Sequence, residues 1–181
     1  MRIVDLELPG LKLVEPKVFG DARGQFLETW NQARYEAAGI PGPFVQDNLS
    51  RSRRGTLRGL HYQKPNVQGK LVSVVAGTVW DVAVDLRRSS PAFGKWFGVE
   101  LSADNRRQLW VPGGFAHGFA VLSDSADFAY KVTGPYSPQD EHVLRWDDPA
   151  LGIDWKLAAG DVLLATRDQN GKSLAEAVTF D

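Results

Sequence analysis

The residues best suited to chemistry are concentrated in two neighbouring stretches of the chain. Polar side chains fill Gln46–Ser50, and the following stretch Gly55–Gln63 carries Arg58 and His61. A buried strand does not need this density of polar groups, whereas a pocket uses a few converging polar groups to orient its ligand. From polarity alone, a polar edge strand followed by the basic loop Arg51–Arg54 fits somewhat better than a pocket.

Two further strands could add groups to such a pocket. His117 stands between apolar residues just after the turn Pro112–Gly114. A lone histidine in this setting is usually a core residue, but His61 and His117 in separate strands of one sheet domain favour a shared site. Alternation places Tyr130 on the same face as Phe128. A tyrosine there is more often a core residue, yet its hydroxyl needs a polar partner.

A metal centre is the first chemistry that these histidines suggest, and the sequence argues against it. Pro112–His117 matches the core of the second metal-binding motif of cupin jelly rolls, Pro-x-Gly-x-x-His. The first motif, His-x-His followed by a nearby glutamate, fails at His61, because no glutamate lies between Glu36 and Glu100. Two histidines are too few for the usual ligand sets, and a chain without cysteine offers no thiolate. We therefore expect no metal site.

The composition excludes several other classes of protein. With 21 basic and 22 acidic residues, the chain has no charge excess suited to a nucleic-acid or membrane surface. No signal peptide and no apolar stretch of about 18 residues is visible, so we expect a cytoplasmic protein. Arginine outnumbers lysine, which hints at an anionic ligand, although solvated surface arginines would give the same bias.

The elements that must position these residues are short strands separated by glycine and proline turns. The clearest strand is Thr78–Leu86, in which apolar and polar residues alternate. Asn31–Ala38 is predicted as a helix that Asn31 caps and Gly39 ends, and Asp154–Asp181 could hold one or two short helices. Further strands are predicted at Gly24–Thr29, Phe44–Asn48, Thr56–Gln63, Lys70–Val75, Trp96–Leu101, Gln108–Val111, His117–Leu122, Asp127–Val132 and Val143–Trp146.

This arrangement favours an all-β architecture. A doubly wound α/β fold needs helices between its parallel strands, and the sequence does not supply them. Many short strands with glycine and proline turns are typical of an antiparallel sandwich or barrel, and a double-sheet jelly roll with a few short helices fits best. No linker or composition break divides the chain, so residues 1–181 are predicted to form one domain.

Several longer stretches resemble the motifs of a known family. They occur in the same order as in that family, and the resemblance covers nearly the whole chain. The stretches are Phe19–Glu28, Gln46–Asn48, Leu57–Gln63, Gln68–Val72, Asp81–Asp85, Gly114–Phe119 and Trp146–Pro149. Together they resemble the dTDP-4-dehydrorhamnose 3,5-epimerases, which belong to the cupin superfamily. The resemblance implies an isomerase without cofactor or metal that inverts C3 and C5 of dTDP-4-dehydro-6-deoxy-D-glucose, giving dTDP-4-dehydro-L-rhamnose.

The resemblance also implies a role for individual residues. His61 would be the base, Tyr130 the acid on the opposite face of the sugar, Asp168 the carboxylate that orients His61, and Lys70 a cation near the C4 oxygen. Tyr136 would stack on the thymine ring. Substrate contacts are implied for Arg23, Glu28, Gln46, Asp47, Asn48, Arg58, Lys70, His117, Tyr136, Glu141 and Arg167.

These residue types suit the implied reaction. A proton beside a ketone can be removed only if the resulting enolate is stabilised. A histidine titrates near neutral pH and can take that proton, and a lysine can stabilise the enolate oxygen. Inversion then needs a second group on the other face to return a proton, which a tyrosine hydroxyl can do. The arginines would serve the diphosphate of the substrate.

Two features of this assignment raise geometric questions. Strict alternation puts Arg58 and His61 on opposite faces of one strand, so both reach one pocket only if the strand bulges or twists, and Gly59 is the natural place. The family pattern has a lysine before Asp168, whereas this chain has Arg167, which keeps the charge but has a different geometry.

The resemblance further implies a homodimer in which N-terminal strands join the partner's sheet. Leu11–Val14 fits such a strand and fits an ordinary edge strand equally well. The nearest alternative function is a C3-only or C5-only epimerase of a related deoxysugar pathway, which these motifs separate poorly. A metal-dependent cupin oxygenase lacks its ligand set. A non-catalytic sugar-binding jelly roll would have no use for His61, Tyr130 and Lys70 together.

Overall fold

The body of the protein consists of two antiparallel β-sheets that face each other. The computed structural model describes residues 1–181, apart from the side chain of residue 159. The strands are β1 (Arg2–Asp5), β2 (Lys12–Glu15), β3 (Val18–Asp21), β4 (Gly24–Leu27), β5 (Gln46–Arg53), β6 (Leu57–Gln63), β7 (Lys70–Ala76), β8 (Thr78–Asp85), β9 (Trp96–Ser102), β10 (Gln108–Val111), β11 (Phe115–Val121), β12 (Ser125–Val132) and β13 (Glu141–Val143). The helices are α1 (Gln32–Ala37) and α2 (Thr166–Gln169), with 3-10 turns at Pro138–Asp140 and Ala159–Asp161.

The strand order gives each sheet its neighbours. The first sheet has six strands in the order β1-β2-β10-β7-β12-β5, and the second has five in the order β13-β6-β11-β8-β9. Strands β3 and β4 form a separate hairpin. Neighbouring strands in both sheets run antiparallel. The prediction of an all-β jelly roll with a few short helices is therefore confirmed.

The main core lies between the two sheets. Alternation turns one face of each strand inward, so that Val72 and Val74 of the first sheet join Val79 and Ala83 of the second in one buried cluster. The rings of Phe119 (β11) and Phe128 (β12) stack with their centroids 4.0 Å apart. This aromatic pair joins the two sheets. Both rings also line one end of a cavity between the sheets.

Two smaller layers cover the outer faces of the sheets. Helix α1 begins at Asn31, whose side chain accepts a hydrogen bond from the Arg34 backbone, and it places Tyr35 on the outside of the first sheet. The C-terminal segment packs Trp155 and Leu151 against the second sheet, so that both faces of β8 are buried. None of the described helices is long and apolar enough to cross a membrane.

Some strand predictions were wrong in their limits. The predicted strand Phe44–Asn48 begins later and continues to Arg53, and the one at Val143–Trp146 lies earlier, as β13. Strands β1 and β3 were not predicted. The segment Leu11–Val14 overlaps β2, which pairs with β1 and β10 of its own chain, so within one protomer it is an ordinary strand of the first sheet.

Candidate active site

A cavity of about 290 Å³ lies between the two sheets, on the polar side of the Phe119–Phe128 pair. Six strands and α2 contribute to its wall. The lining residues are Gln46, Asn48, Ser50, Arg58, His61, Tyr62, Gln63, Gln68, Lys70, His117, Gly118, Phe119, Phe128, Tyr130, Val132, Tyr136, Glu141 and Arg167. Most of the residues singled out in the sequence thus reach one pocket, which combines apolar walls with a few polar groups, as ligand sites usually do.

A histidine–carboxylate pair stands in the wall formed by the second sheet. His61 Nε2 lies 2.6 Å from Oδ1 of Asp168, whose side chain is 1% exposed. The other oxygen of Asp168 accepts a hydrogen bond from the Gly59 backbone N–H at 3.4 Å. With its proton on Nε2 facing the carboxylate, the His61 ring keeps a lone pair on Nδ1, and Asp168 stabilises the imidazolium that forms when Nδ1 takes a proton.

Strand β6 brings both Arg58 and His61 to this cavity through an irregularity at Gly59. His61 pairs with His117 and Arg58 pairs with Phe119, so the register shifts between these two pairs. Gly59 has a φ of +114°, and a Cβ there would lie 2.6 Å from the carbonyl oxygen of His117. Only glycine fits this close approach, and the predicted distortion of β6 at this residue is confirmed.

Lys70 and Tyr130 stand on the facing sheet, on β7 and β12. Lys70 Nζ donates a hydrogen bond to the carbonyl oxygen of His61 at 3.1 Å. Burial lowers the pKa of Lys70 to about 8, and the negative charges of Glu141 and Asp81 act in the opposite direction. Burial raises the pKa of the Tyr130 hydroxyl, so that it remains protonated at neutral pH.

Two further donors are each fixed by a neighbouring polar group. Arg58 Nε donates to Ser52 Oγ at 3.0 Å, which leaves the end of its guanidinium group for a ligand. His117 Nε2 lies 2.9 and 3.0 Å from the two oxygens of the fully buried Asp81. The free fork of the Arg58 guanidinium group suits an anionic ligand such as a diphosphate.

The mouth of the cavity is formed by Tyr136, Glu141 and Arg167. Glu141 Oε2 accepts hydrogen bonds from Tyr136 Oη at 3.2 Å and from Arg167 Nη1 at 2.7 Å. The Tyr136 backbone N–H donates to Gln46 Oε1 at 3.3 Å. Tyr136 is 47% exposed, so its ring is available to stack on a planar group.

Asp47 is not brought to the cavity. The alternation of β5 turns Gln46 and Asn48 inward, and Gln46 Nε2 donates to Asn48 Oδ1 at 2.8 Å. Asp47 points to the opposite face, where Lys131 Nζ donates to its carboxylate at 2.8 Å. The substrate contact implied for Asp47 therefore has no support in the geometry of this chain.

Arg23 and Glu28 also lie outside the cavity of their own chain. Arg23 is at the turn of the β3–β4 hairpin, where it pairs with Asp21 at 2.6 Å. Glu28 follows the hairpin and pairs with Arg34 of α1 at 3.0 Å. Neither residue is among those that line the pocket, so within one chain the contacts implied for them are not formed.

Sequence reasoning gave no individual role to four polar groups of the site. Ser50, Gln63 and Gln68 line the cavity, and Asp81 holds His117 from behind. The Oγ of Ser50 is buried without a hydrogen-bond partner. The alternation that selects Gln46 and Asn48 also selects Ser50, so this signal was present. Among the described residues, no three His, Cys, Asp or Glu side chains are grouped so that they could hold a metal ion.

Comparisons with known proteins agree with this geometry. A family model described as dTDP-4-dehydrorhamnose 3,5-epimerase matches residues 5–176. The chain is 54% identical over 181 residues to the enzyme of that name from Pseudomonas aeruginosa, covering 99% of each chain. It is 42% identical over 179 residues to a dTDP-4-dehydrorhamnose 3-epimerase from Streptomyces niveus, covering 98% of this chain and 86% of that one.

A solved structure extends the similarity to three dimensions. It is the crystal structure of a dTDP-6-deoxy-D-glucose-3,5-epimerase from Legionella pneumophila in complex with dTDP-4-keto-L-rhamnose. Its TM-score is 0.94 at 53% sequence identity, and the match covers 97% of this chain and 93% of that chain. On the family model, the full-length relatives and the shared fold, the chain belongs to the dTDP-4-dehydrorhamnose 3,5-epimerase family.

Proposed function

We propose that this protein is an isomerase that inverts C3 and C5 of dTDP-4-dehydro-6-deoxy-D-glucose to give dTDP-4-dehydro-L-rhamnose, as one domain over residues 1–181. The observation that carries the proposal is the placement of a base and an acid on facing walls of one cavity. His61 belongs to the second sheet and Tyr130 to the first. Inversion requires one proton to leave one face of the sugar and another to arrive on the opposite face.

Each step uses a group whose environment suits it. His61 takes the proton from the carbon beside the C4 ketone, and Asp168, 2.6 Å from Nε2, stabilises the imidazolium. Lys70, close to His61, stabilises the negative charge that develops on the C4 oxygen. Tyr130, whose pKa is raised by burial, returns a proton from the other side. His61 then releases its proton to solvent and Tyr130 regains one, after which the same steps at the second carbon invert both centres.

Recognition of the nucleotide is assigned to the rest of the cavity. Arg58 would bind the diphosphate through the free end of its guanidinium group, and His117, whose Nε2 is held by the buried Asp81, would contact it from β11. Tyr136 would stack on the thymine ring at the mouth, with Gln46 and Glu141 beside it. The nucleotide would thus hold the sugar between His61 and Tyr130.

Double inversion is favoured over inversion at a single carbon. The Pseudomonas aeruginosa relative, whose name gives both carbons, is 54% identical to this chain, against 42% for the Streptomyces niveus 3-epimerase. The same base and acid would serve either reaction, and only the positioning of the sugar would differ. A homodimer and a cytoplasmic location remain predictions.

Deuterium incorporation tests the reaction. The metal-stripped protein is incubated with dTDP-4-dehydro-6-deoxy-D-glucose in deuterated water, and C3 and C5 are followed by NMR. Deuterium at both carbons is expected. Deuterium at one carbon would instead identify a single-carbon epimerase, and no exchange from well-folded protein would refute the catalytic assignment.

Two substitutions test the roles of the base and the acid. His61→Ala should abolish exchange at both carbons while binding of dTDP, measured by calorimetry, stays nearly unchanged. Tyr130→Phe should slow turnover more than it slows exchange of the first proton, because the base is intact. Exchange retained in His61→Ala would place the base elsewhere, and an equal loss of both rates in Tyr130→Phe would contradict its role as the acid.

A further inference from the structure

Arg167 occupies a position between the base and the mouth of the cavity. Its Nη1 donates to Glu141 Oε2 at 2.7 Å, and its Nε lies 3.6 Å from Asp168 Oδ1. That oxygen of Asp168 is the one that lies 2.6 Å from His61 Nε2. A single guanidinium group therefore hydrogen-bonds to one carboxylate and lies at ion-pair distance from a second, which is the partner of the base.

The two carboxylates are more deeply buried than the arginine that lies between them. Asp168 is 1% exposed and Glu141 is 15% exposed, whereas the side chain of Arg167 is 51% exposed. Glu141 is also held by the hydroxyl of Tyr136. The carboxylates are thus the anchors, and the long arginine side chain is restrained because it binds both of them.

Arg167 also acts on the proposed acid. Burial is the largest influence on the pKa of Tyr130 and raises it; the positive charges of Arg58 and Arg167 lower this pKa, whereas Glu141 raises it. Tyr136 has a further, raising influence. Glu141 and Arg167 therefore act on the pKa of Tyr130 in opposite directions.

We infer that Arg167 is a positioning residue, which holds the Asp168 carboxylate against His61 and ties this pair to Glu141 at the cavity mouth. This inference rests on the proposed function and deepens it. The lysine of the family pattern would place a single point charge here, whereas the guanidinium presents donors in two directions from a rigid plane. The arginine at this position thus supplies geometry as well as charge.

Three variants separate this role from simple substrate binding. They are Arg167→Ala, Arg167→Lys and, as a matched control, Arg145→Ala, whose arginine pairs with Asp147 at the surface. Exchange at C3 and C5 is measured at saturating substrate, and the Kd of dTDP is measured by calorimetry. Misplacing a catalytic group by about 1 Å can cost roughly a hundredfold in rate. Because Gly59 still holds Asp168 in Arg167→Ala, the displacement should be smaller, and the exchange rate should fall about tenfold at both carbons.

Arg167→Lys and the Kd of dTDP provide two further tests of the positioning role. Arg167→Lys should recover only part of the lost rate, and the Kd of dTDP should change less than about twofold in both Arg167 variants. Arg145→Ala should behave as the wild type. An unchanged exchange rate with a clearly weaker Kd would show that Arg167 only contacts substrate, and full recovery by lysine would show that charge alone matters.

A measurement on the free protein gives a second, independent readout. In ¹⁵N-histidine spectra, the Nε2–H signal of His61 should shift or broaden in Arg167→Ala and stay unchanged in Arg145→Ala. An unchanged His61 signal would overturn the positioning role. Because this measurement needs no turnover, it tests Arg167 even if the wild type shows no exchange, which would refute the proposed function instead.

Discussion

At the scale of single residues, Lys70 shows how burial sets the working range of a catalytic cation. Burial lowers its pKa to about 8, so the ammonium is charged at neutral pH and loses its proton as the pH rises through about 8. Only the charged form stabilises an enolate oxygen. We expect kcat/KM for epimerisation to fall above about pH 8.

Substitution of Lys70 tests the origin of that decline. An arginine stays charged at every accessible pH, so Lys70→Arg should move the basic limb of the kcat/KM profile upward, at a rate lowered about tenfold by the altered geometry. Lys70→Met should abolish activity. Lys95→Arg, at an exposed loop position, is the control. A basic limb that stays near pH 8 in Lys70→Arg would assign the titration to another group.

At the scale of the elements, the irregularity of β6 decides whether the site forms. A Cβ on Gly59 would lie 2.6 Å from a carbonyl oxygen and 2.7 Å from the Cα of Gly118, at a φ that side chains rarely adopt. Gly59→Ala should therefore lower the free energy of unfolding by roughly 1–3 kcal/mol and reduce the exchange rate by displacing His61.

Urea denaturation and the deuterium assay measure the two effects of Gly59→Ala. Gly160→Ala is the matched control, because Gly160 has ordinary backbone angles and no atom within 4 Å of an added Cβ. If Gly59→Ala unfolded at the same urea concentration as the wild type and kept its rate, the close contact between β6 and β11 would not position the base.

The pattern of apolar and polar residues predicted those strands and helices whose buried face is apolar. Gln108–Val111 was predicted with its observed limits, and the helix begins after the Asn31 cap as expected. Strand β5 was cut short because its inward face is polar: Asn48 and Ser50 face a cavity rather than a core. Periodicity marks a strand by its apolar face, so strands that build a site give the weakest signal.

The site is formed by residues that are distant in sequence, so local pattern could not predict it. His61 and Asp168 meet across 107 positions, and no local pattern places them together; only family resemblance did so. Resemblance alone also placed Asp47 among the substrate contacts, whereas the alternation of β5 turns it outward. Alternation was the better guide in the regular strand β5. Resemblance was the better guide in β6, where the irregularity at Gly59 brings Arg58 and His61 to one cavity, and between elements.

At the scale of the whole molecule, the β3–β4 hairpin packs against little of its own chain. Its residues are almost all exposed, and Phe19 and Phe26 leave 51% and 70% of their surface in solvent. Paired aromatic rings on a free hairpin typically mark a contact surface. Arg23 and Glu28, implied as substrate contacts, lie on or beside this hairpin and away from their own cavity. A homodimer in which the hairpin reaches the partner's cavity would reconcile these facts.

Mixing two impaired variants tests this arrangement. Arg23→Ala would weaken the partner's site, and His61→Ala disables its own, so a mixed dimer holds one complete site. Random exchange of subunits makes about half of the dimers mixed, and we expect about a quarter of wild-type activity to return. His61→Ala mixed with Tyr130→Phe should gain no activity beyond that of the separate variants, because both residues serve the same cavity. No recovery, with mixed dimers verified by native mass spectrometry, would mean that the hairpin does not complete the partner's site.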